Sequence, residues 1–81
     1  MGAHIVYVKI INAINSGTLM EPFTIAEFIG ACPGLGRGTY RAFLYKHRMG
    51  NPGNKSELVE LVSPGHFKLI RPIKYGIRRP I

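Results

Sequence analysis

The sequence predicts one α+β domain in which three helices are followed by a β-hairpin. Three observations predict this order: an apolar run with helical spacing near the N-terminus, a glycine-rich turn between two further short helices, and two strand-length runs separated by a proline and a glycine. The chain has 81 residues, the size of a single small domain. We expect the domain to cover residues 1–71, and a basic, flexible C-terminal arm to cover residues 72–81.

The first helix is predicted in the run 3–16. Its β-branched residues would also allow a strand, but the run is more than twice the usual strand length. Gly17 supplies a stop signal after it. One face of the helix gathers apolar side chains at three- and four-residue spacing: Tyr7, Ile10, Ile11 and Ile14.

The connection to the second helix is predicted to be extended. Pro22 fixes its own φ and disfavours a helix at Glu21. Leu19 and Met20 are therefore candidates for a small edge strand that precedes the helix pair.

A capping box predicts where the second helix begins. The hydroxyl of Thr24 can accept a hydrogen bond from the backbone N–H of Glu27, and the Glu27 carboxylate can accept one from the N–H of Thr24. Pro33 cannot continue the helix at its other end. The apolar stripe of this helix consists of Ile25, Phe28 and Ile29.

The third helix follows a turn, residues 32–38, that contains three glycines. Thr39 is the expected N-cap, and Gly50 is expected to end the helix in the left-handed conformation. We expect one face to pack and the opposite face to meet negative charge, because no acidic residue lies between Glu27 and Glu57. The packing face holds Tyr40, Phe43, Leu44 and His47, and the opposite face holds Arg41, Tyr45 and Arg48 beside Ala42, Lys46 and Met49.

The hairpin is predicted from two runs, residues 57–62 and 66–71. Pro64 and Gly65 suit the two central positions of a type II turn between them. Within the second run the alternation places Phe67 inward and Lys68 toward solvent.

The net charge of the chain indicates which kinds of binding partner to expect. Eleven Lys and Arg residues against four acidic residues give a formal charge of +7 and a pI near 10.1, which favours a nucleic acid or an anionic membrane surface. A basic protein without such a partner is the alternative. No apolar run approaches the roughly 20 residues of a membrane span, and no secretory signal is evident, so we expect a cytoplasmic, nucleoid-associated protein and no membrane partner.

Enzymatic chemistry is not expected from these residues. The single cysteine, Cys32, allows no intrachain disulfide, and the three histidines show no zinc-ligand spacing, so neither a metal nor a cofactor is expected. No nucleophile has a recognisable base partner. The loop 34–38 lacks the Gly-Lys-Ser/Thr sequence of a nucleotide-binding loop. We interpret Cys32 and His47 as packing residues.

The order of elements resembles a winged helix-turn-helix DNA-binding domain. The residues that carry the resemblance are Thr24 with 26–29 for the positioning helix, 38–44 for the recognition helix, and 58–70 for the wing. The resemblance implies that the third helix enters the major groove and that the wing tip touches an adjacent groove or backbone. By position, the resemblance implies that the residues at the groove are Arg37, Thr39, Arg41, Tyr45 and Arg48, and that His66 and Lys68 lie at or near the wing tip. Positive charge adds Lys46 as a further candidate for DNA contact, together with Lys74, Arg78 and Arg79 on the C-terminal arm.

The expected function is therefore non-enzymatic binding of double-stranded DNA by a small transcriptional regulator or accessory factor. Two alternatives stay open. The first is a winged helix that binds structured RNA. The second is a protein-interaction module, in which the first helix forms a homodimer or docks on a larger assembly through its surplus of apolar residues: Ile5, Val6, Val8 and Ile11.

Overall fold

A computed structural model describes residues 3–50 and 57–73, with side chains from Ile5 onward. It confirms the α+β class and the predicted order of elements within these ranges. The predicted turn at 51–56 and the basic residues of the arm, Lys74, Arg78 and Arg79, lie outside the described residues. The elements are α1 (Ala3–Asn15), α2 (Ile25–Ala31), α3 (Thr39–Lys46), β1 (Val59–Ser63) and β2 (His66–Leu69).

Helix α1 supplies the centre of the core, and its predicted face is confirmed. Tyr7, Ile10 and Ile11 are completely buried, and Ile14 is half-buried. The helix ends at Asn15, and Gly17 two residues later has a φ of +83°, in the left-handed region that favours glycine. Of the surplus apolar residues proposed for a homodimer, Val6 and Ile11 are buried in the core and Val8 is half-buried, whereas Ile5 remains exposed.

The capping box of α2 is confirmed. The backbone N–H of Glu27 donates to Oγ1 of Thr24 at 3.1 Å, and the N–H of Thr24 donates to Oε1 of Glu27 at 2.9 Å. Phe28 is completely buried and meets the ring of Tyr40 edge-on, with ring centres 5.0 Å apart. Ile29 is exposed, so the buried stripe is narrower than predicted, because this seven-residue helix turns little more than one side toward the core.

The turn between α2 and α3 is tied down by Tyr40. Its hydroxyl donates to the carbonyl oxygen of Cys32 at 2.7 Å and accepts from the N–H of Leu35 at 3.3 Å. Tyr40 therefore links the end of α2 to the start of α3. Its burial confirms the prediction that it belongs to the core.

Both predicted ends of α3 are wrong. The N-cap is Gly38, and Thr39 is already helical. At the other end the helix stops at Lys46, about one turn before Gly50. The carbonyl oxygen of His47 instead accepts from the N–H groups of Leu58 (2.8 Å) and Val59 (3.1 Å), and the N–H of Met49 donates to the carbonyl of Val59 at 2.8 Å. The backbone of residues 47–49 therefore pairs with the start of β1 and leaves the helix.

The hairpin is confirmed, with strands shorter than predicted. Residues Val59 and Leu69, Glu60 and Lys68, and Leu61 and Phe67 are paired across the two antiparallel strands. Gly65 has the positive φ, +78°, that the second central position of a type II turn requires. Phe67 is buried and Lys68 exposed, as predicted.

Two further bridges attach the hairpin to the helices. Phe23 pairs with Phe67 through two hydrogen bonds of 2.8 Å, and Arg48 pairs in parallel with Val59. The extended residue before α2 that joins the sheet is thus Phe23. The expectation of an edge strand at Leu19 and Met20 is wrong, because no backbone bridge to the hairpin involves either residue among those described.

Candidate nucleic-acid interface

Helix α3 has one buried and one exposed side, as predicted. Tyr40, Phe43 and Leu44 are buried, and His47, just beyond the helix, is buried with its ring centre 4.9 Å from that of Phe43. Packing of this side fixes the orientation of the opposite one. The side chains that it turns toward solvent are Arg41, Ala42, Tyr45 and Lys46.

Two arginines are gathered on the ring of Tyr45. The guanidinium carbon of Arg41 lies 6.0 Å from the ring centre, and that of Arg48 lies 5.7 Å from it. Guanidinium groups at this distance are attracted by the negative face of an aromatic ring. The edge-on ring of Phe67 in β2, 6.3 Å from that of Tyr45, supports the arrangement from the sheet. We call Arg41, Tyr45 and Arg48 the Tyr45 cluster.

Arg48 reaches this cluster from outside the helix. It belongs to the extended segment that pairs with Val59, and it is half-buried. Its Nε is buried without a hydrogen-bond partner. A buried polar group in this condition costs about 1–3 kcal/mol. The position of Arg48 therefore carries a cost that no contact described for its Nε offsets.

The carboxylates of the chain are engaged elsewhere. Glu27 is in the capping box, Glu57 accepts from the N–H of Gly50 at 3.0 Å, and the other two have cationic partners. Among the described residues, none of the four glutamates forms an ion pair with Arg37, Arg41, Lys46 or Arg48. The exposed side of α3 therefore keeps its positive charge.

Glu21 and Arg71 form an ion pair that the sequence did not predict. Oε1 and Oε2 of Glu21 accept from Nη2 and Nη1 of Arg71 at 2.6 and 3.1 Å, and Oε2 also accepts from the N–H of Leu69 at 2.6 Å. Burial by itself would raise the pKa of Glu21. The hydrogen bonds from Arg71 and Leu69, together with the charges of Arg71 and Lys68, outweigh burial and hold that pKa below its usual value.

The hairpin residues that were expected at a wing tip, His66 and Lys68, have their own partners. Lys68 faces Glu60 across the hairpin, with Nζ and Oε1 4.0 Å apart and both side chains well exposed. Such an exposed pair contributes little to stability. His66, beside the turn, has its Nδ1 3.1 Å from the carbonyl oxygen of Pro64. Lys68 thus has a carboxylate beside it, unlike the arginines of the Tyr45 cluster.

The predicted site residues fall into separate groups. Arg41, Tyr45 and Arg48 are brought together, and Lys46 is exposed on the same helix. Arg37 is exposed in the turn before α3, and Thr39 is half-buried at the first turn of that helix. His66 and Lys68 lie on the hairpin, and Lys74, Arg78 and Arg79 fall outside the described residues.

Two other kinds of group in the described part of the chain are the lone cysteine and the possible metal ligands. Cys32 is buried, its thiol lies 3.6 Å from the carbonyl oxygen of Lys9, and burial raises its pKa despite the charge of Lys9. Among the described residues no three His, Cys, Asp or Glu side chains are grouped as metal ligands. None of the described helices has the length and apolar character needed to cross a bilayer.

No family model, curated protein or solved structure matches this chain. Its candidate interface is therefore defined by its own residues. The most distinctive of them are the two arginines on one aromatic ring, without a carboxylate among the described residues to neutralise them.

Proposed function

We propose that this chain is a non-enzymatic protein that binds double-stranded DNA as a winged helix-turn-helix domain. It acts in the cytoplasm, on the nucleoid, as a small transcriptional regulator or an accessory factor. Helix α3 lies against the duplex, and the β1–β2 hairpin serves as the wing. No cofactor and no membrane take part.

The observation that carries this proposal is the uncompensated positive side of α3. Arg41 and Arg48 lie on the ring of Tyr45, and every glutamate of the chain is engaged elsewhere. The whole chain carries a formal charge of +7. A cluster of cations on one side of a small basic domain is the electrostatic pattern expected for a nucleic-acid-binding protein.

The dimensions of α3 suit a duplex. An α-helix with its side chains is about 10–12 Å across, and the major groove of B-DNA is about 12 Å wide and admits a helix. Arg41, in the first half of α3, can contact a guanine edge or a phosphate. Arg48 lies beyond the end of α3 and can contact the phosphate backbone of the DNA.

Salt dependence tests this proposal. Fluorescence anisotropy with a labelled generic duplex should give a slope of log K against log salt of roughly −5, because five or six phosphate contacts contribute about −0.9 each. Lys9→Ala removes one exposed charge from α1 and serves as the control, with an unchanged slope. A wild-type slope near zero would contradict the proposal.

Binding to a set of duplexes with different sequences tests whether Arg41 contacts a base or a phosphate. Arg41→Ala should cost about 1–3 kcal/mol of binding free energy on a subset of duplexes if this side chain contacts a base. Equal losses on every duplex would assign Arg41 to phosphate. A folded RNA added as competitor separates the RNA alternative, which predicts that RNA displaces the duplex at lower concentration than unlabelled duplex does.

A further inference from the structure

The Tyr45 cluster holds two positive charges beside one aromatic ring. Since the two guanidinium carbons are 6.0 and 5.7 Å from one ring centre, their separation cannot exceed the sum of these distances. Like charges in this range repel each other. No glutamate of the chain reaches either of them among the described residues. A bound anion would turn this repulsion into attraction.

Arg48 also has an unused donor. Its Nε is buried and unpaired, although most buried polar atoms in proteins have a partner. The two amino groups at the far edge of a guanidinium form a fork that matches two oxygens of a phosphate without the use of Nε. Arg48 as a whole is half-buried, so part of its side chain is exposed at the junction of α3 and β1, while Nε itself is covered.

Tyr45 is suited to hold the two arginines in place. Its ring is backed edge-on by Phe67, which is 1% exposed and belongs to the core. A side chain fixed in this way loses little freedom on binding, and it restricts the long arginine side chains before a ligand arrives. The cluster is thus organised in the free protein.

We propose that the Tyr45 cluster is a phosphate-binding subsite, in which Tyr45 positions the guanidinium groups of Arg41 and Arg48 for contact with phosphate. This proposal deepens the proposed function and rests on it for the natural source of the phosphate, a nucleic-acid backbone. It places the strongest phosphate contact of the domain beyond the C-terminal end of α3, beside the start of β1. Free phosphate has the same chemistry, so the two sources are compared directly.

Inorganic phosphate is the first probe. Nitrogen-15 NMR of the arginine Nε–H groups, recorded at constant ionic strength with chloride as reference, should show saturable shifts for Arg48 and Arg41 at millimolar phosphate. Tyr45→Leu should lower the phosphate affinity roughly threefold to tenfold, the effect of losing a partly desolvated cation–π contact. Tyr45→Phe keeps the ring and should recover most of the affinity lost in Tyr45→Leu, whereas Lys9→Ala, outside the cluster, should bind like the wild type.

A generic duplex is the second probe. Since Tyr45 has no charge, Tyr45→Leu should weaken duplex binding without changing the salt slope, whereas Arg48→Met should reduce the magnitude of the slope by about 0.9. If Tyr45→Leu does not fold, Arg48→Met provides the same comparison in both titrations.

The two titrations separate the two proposals. Phosphate shifts without duplex binding would support the subsite and contradict the proposed function. Duplex binding with unshifted Nε–H signals in phosphate, or with an unchanged affinity in Tyr45→Leu, would overturn the subsite and leave the function standing.

Discussion

Arg71 and Arg48 show how one residue type serves two purposes in this molecule. Arg71 has both of its amino groups on the Glu21 carboxylate, and Nη1 also donates to the carbonyl of Leu69. Arg48 has an aromatic ring beside it and a buried Nε without a partner. The first arginine is satisfied within the chain. The second has no carboxylate partner among the described residues, and we therefore propose it as part of the interface.

The Glu21–Arg71 pair also completes the edge of the hairpin. Phe23 covers β2 at Phe67, and the Glu21 carboxylate accepts from the N–H of Leu69, two residues farther along the same strand. A side chain thus takes the place of a neighbouring strand. Covering an edge in this way limits pairing with other chains.

The largest effect on stability is expected for Glu21→Gln. The substitution keeps the shape of the side chain but removes its charge, so that hydrogen bonds to Arg71 and Leu69 weaken, at a cost of about 2–3 kcal/mol in the free energy of unfolding. Urea unfolding measures this change. Duplex affinity should stay within about twofold of the wild type, since the substitution leaves the interface in place. A parallel loss of affinity would show that the two arginine sites are not independent.

Arg48→Met should have the opposite pattern. Duplex affinity should fall about tenfold, because a charge-assisted phosphate contact is lost. The free energy of unfolding should rise by about 1 kcal/mol, because the unpaired Nε is replaced by apolar atoms of similar length. Arg48→Lys, which keeps the charge but lacks the fork, is the matched control. A variant that is less stable and binds normally would assign Arg48 to the fold.

Acid should weaken the Glu21 site selectively. The folded-state pKa of Glu21 lies below its ordinary value of 4.5, so the ion pair contributes its full stability above that value and loses it as pH falls through the folded-state pKa. Thermal unfolding of the wild type should therefore show decreasing stability below pH 4.5. Glu21→Gln should have a flatter profile, and identical profiles would contradict the role given to this pair.

The smallest effect is expected for a substitution in α2, away from Arg48 and Arg71. Gly30 is exposed on α2, and a Cβ at this position would meet no atom within 4 Å. Gly30→Ala should stabilise the domain by about 0.5–1 kcal/mol, because alanine loses less backbone entropy in a helix. Affinity for the duplex should not change. Destabilisation would mean that α2 packs differently in solution.

Local signals predicted much of the fold. The capping box of Thr24 and Glu27, the helical spacing in α1 and the turn at Pro64 and Gly65 each depend on residues close in sequence, and each is confirmed. The end of α3 was missed because it depends on backbone pairing with Val59, across the segment 51–56. The spacing of apolar residues along a helix contains no information about this pairing with a distant strand.

For the candidate site, too, contacts between residues close in sequence were easier to predict than contacts between distant ones. Arg41 and Tyr45 are four residues apart on a helix, so their contact followed from spacing. Arg48 was placed on that helix, and it reaches the ring from the extended segment beyond it. Glu21 and Arg71 are 50 residues apart in the sequence. No local pattern around either residue indicates that they form an ion pair.

The most direct test of the interface is an NMR titration of the labelled protein with a generic duplex at low salt, following the backbone amides. The account predicts that the amides of Arg41, Tyr45 and Arg48 move most, and that those along α1 stay in place. Largest shifts along the groove that Lys9, Asn12 and Ser16 form beside Cys32 would contradict it, as would an unchanged spectrum.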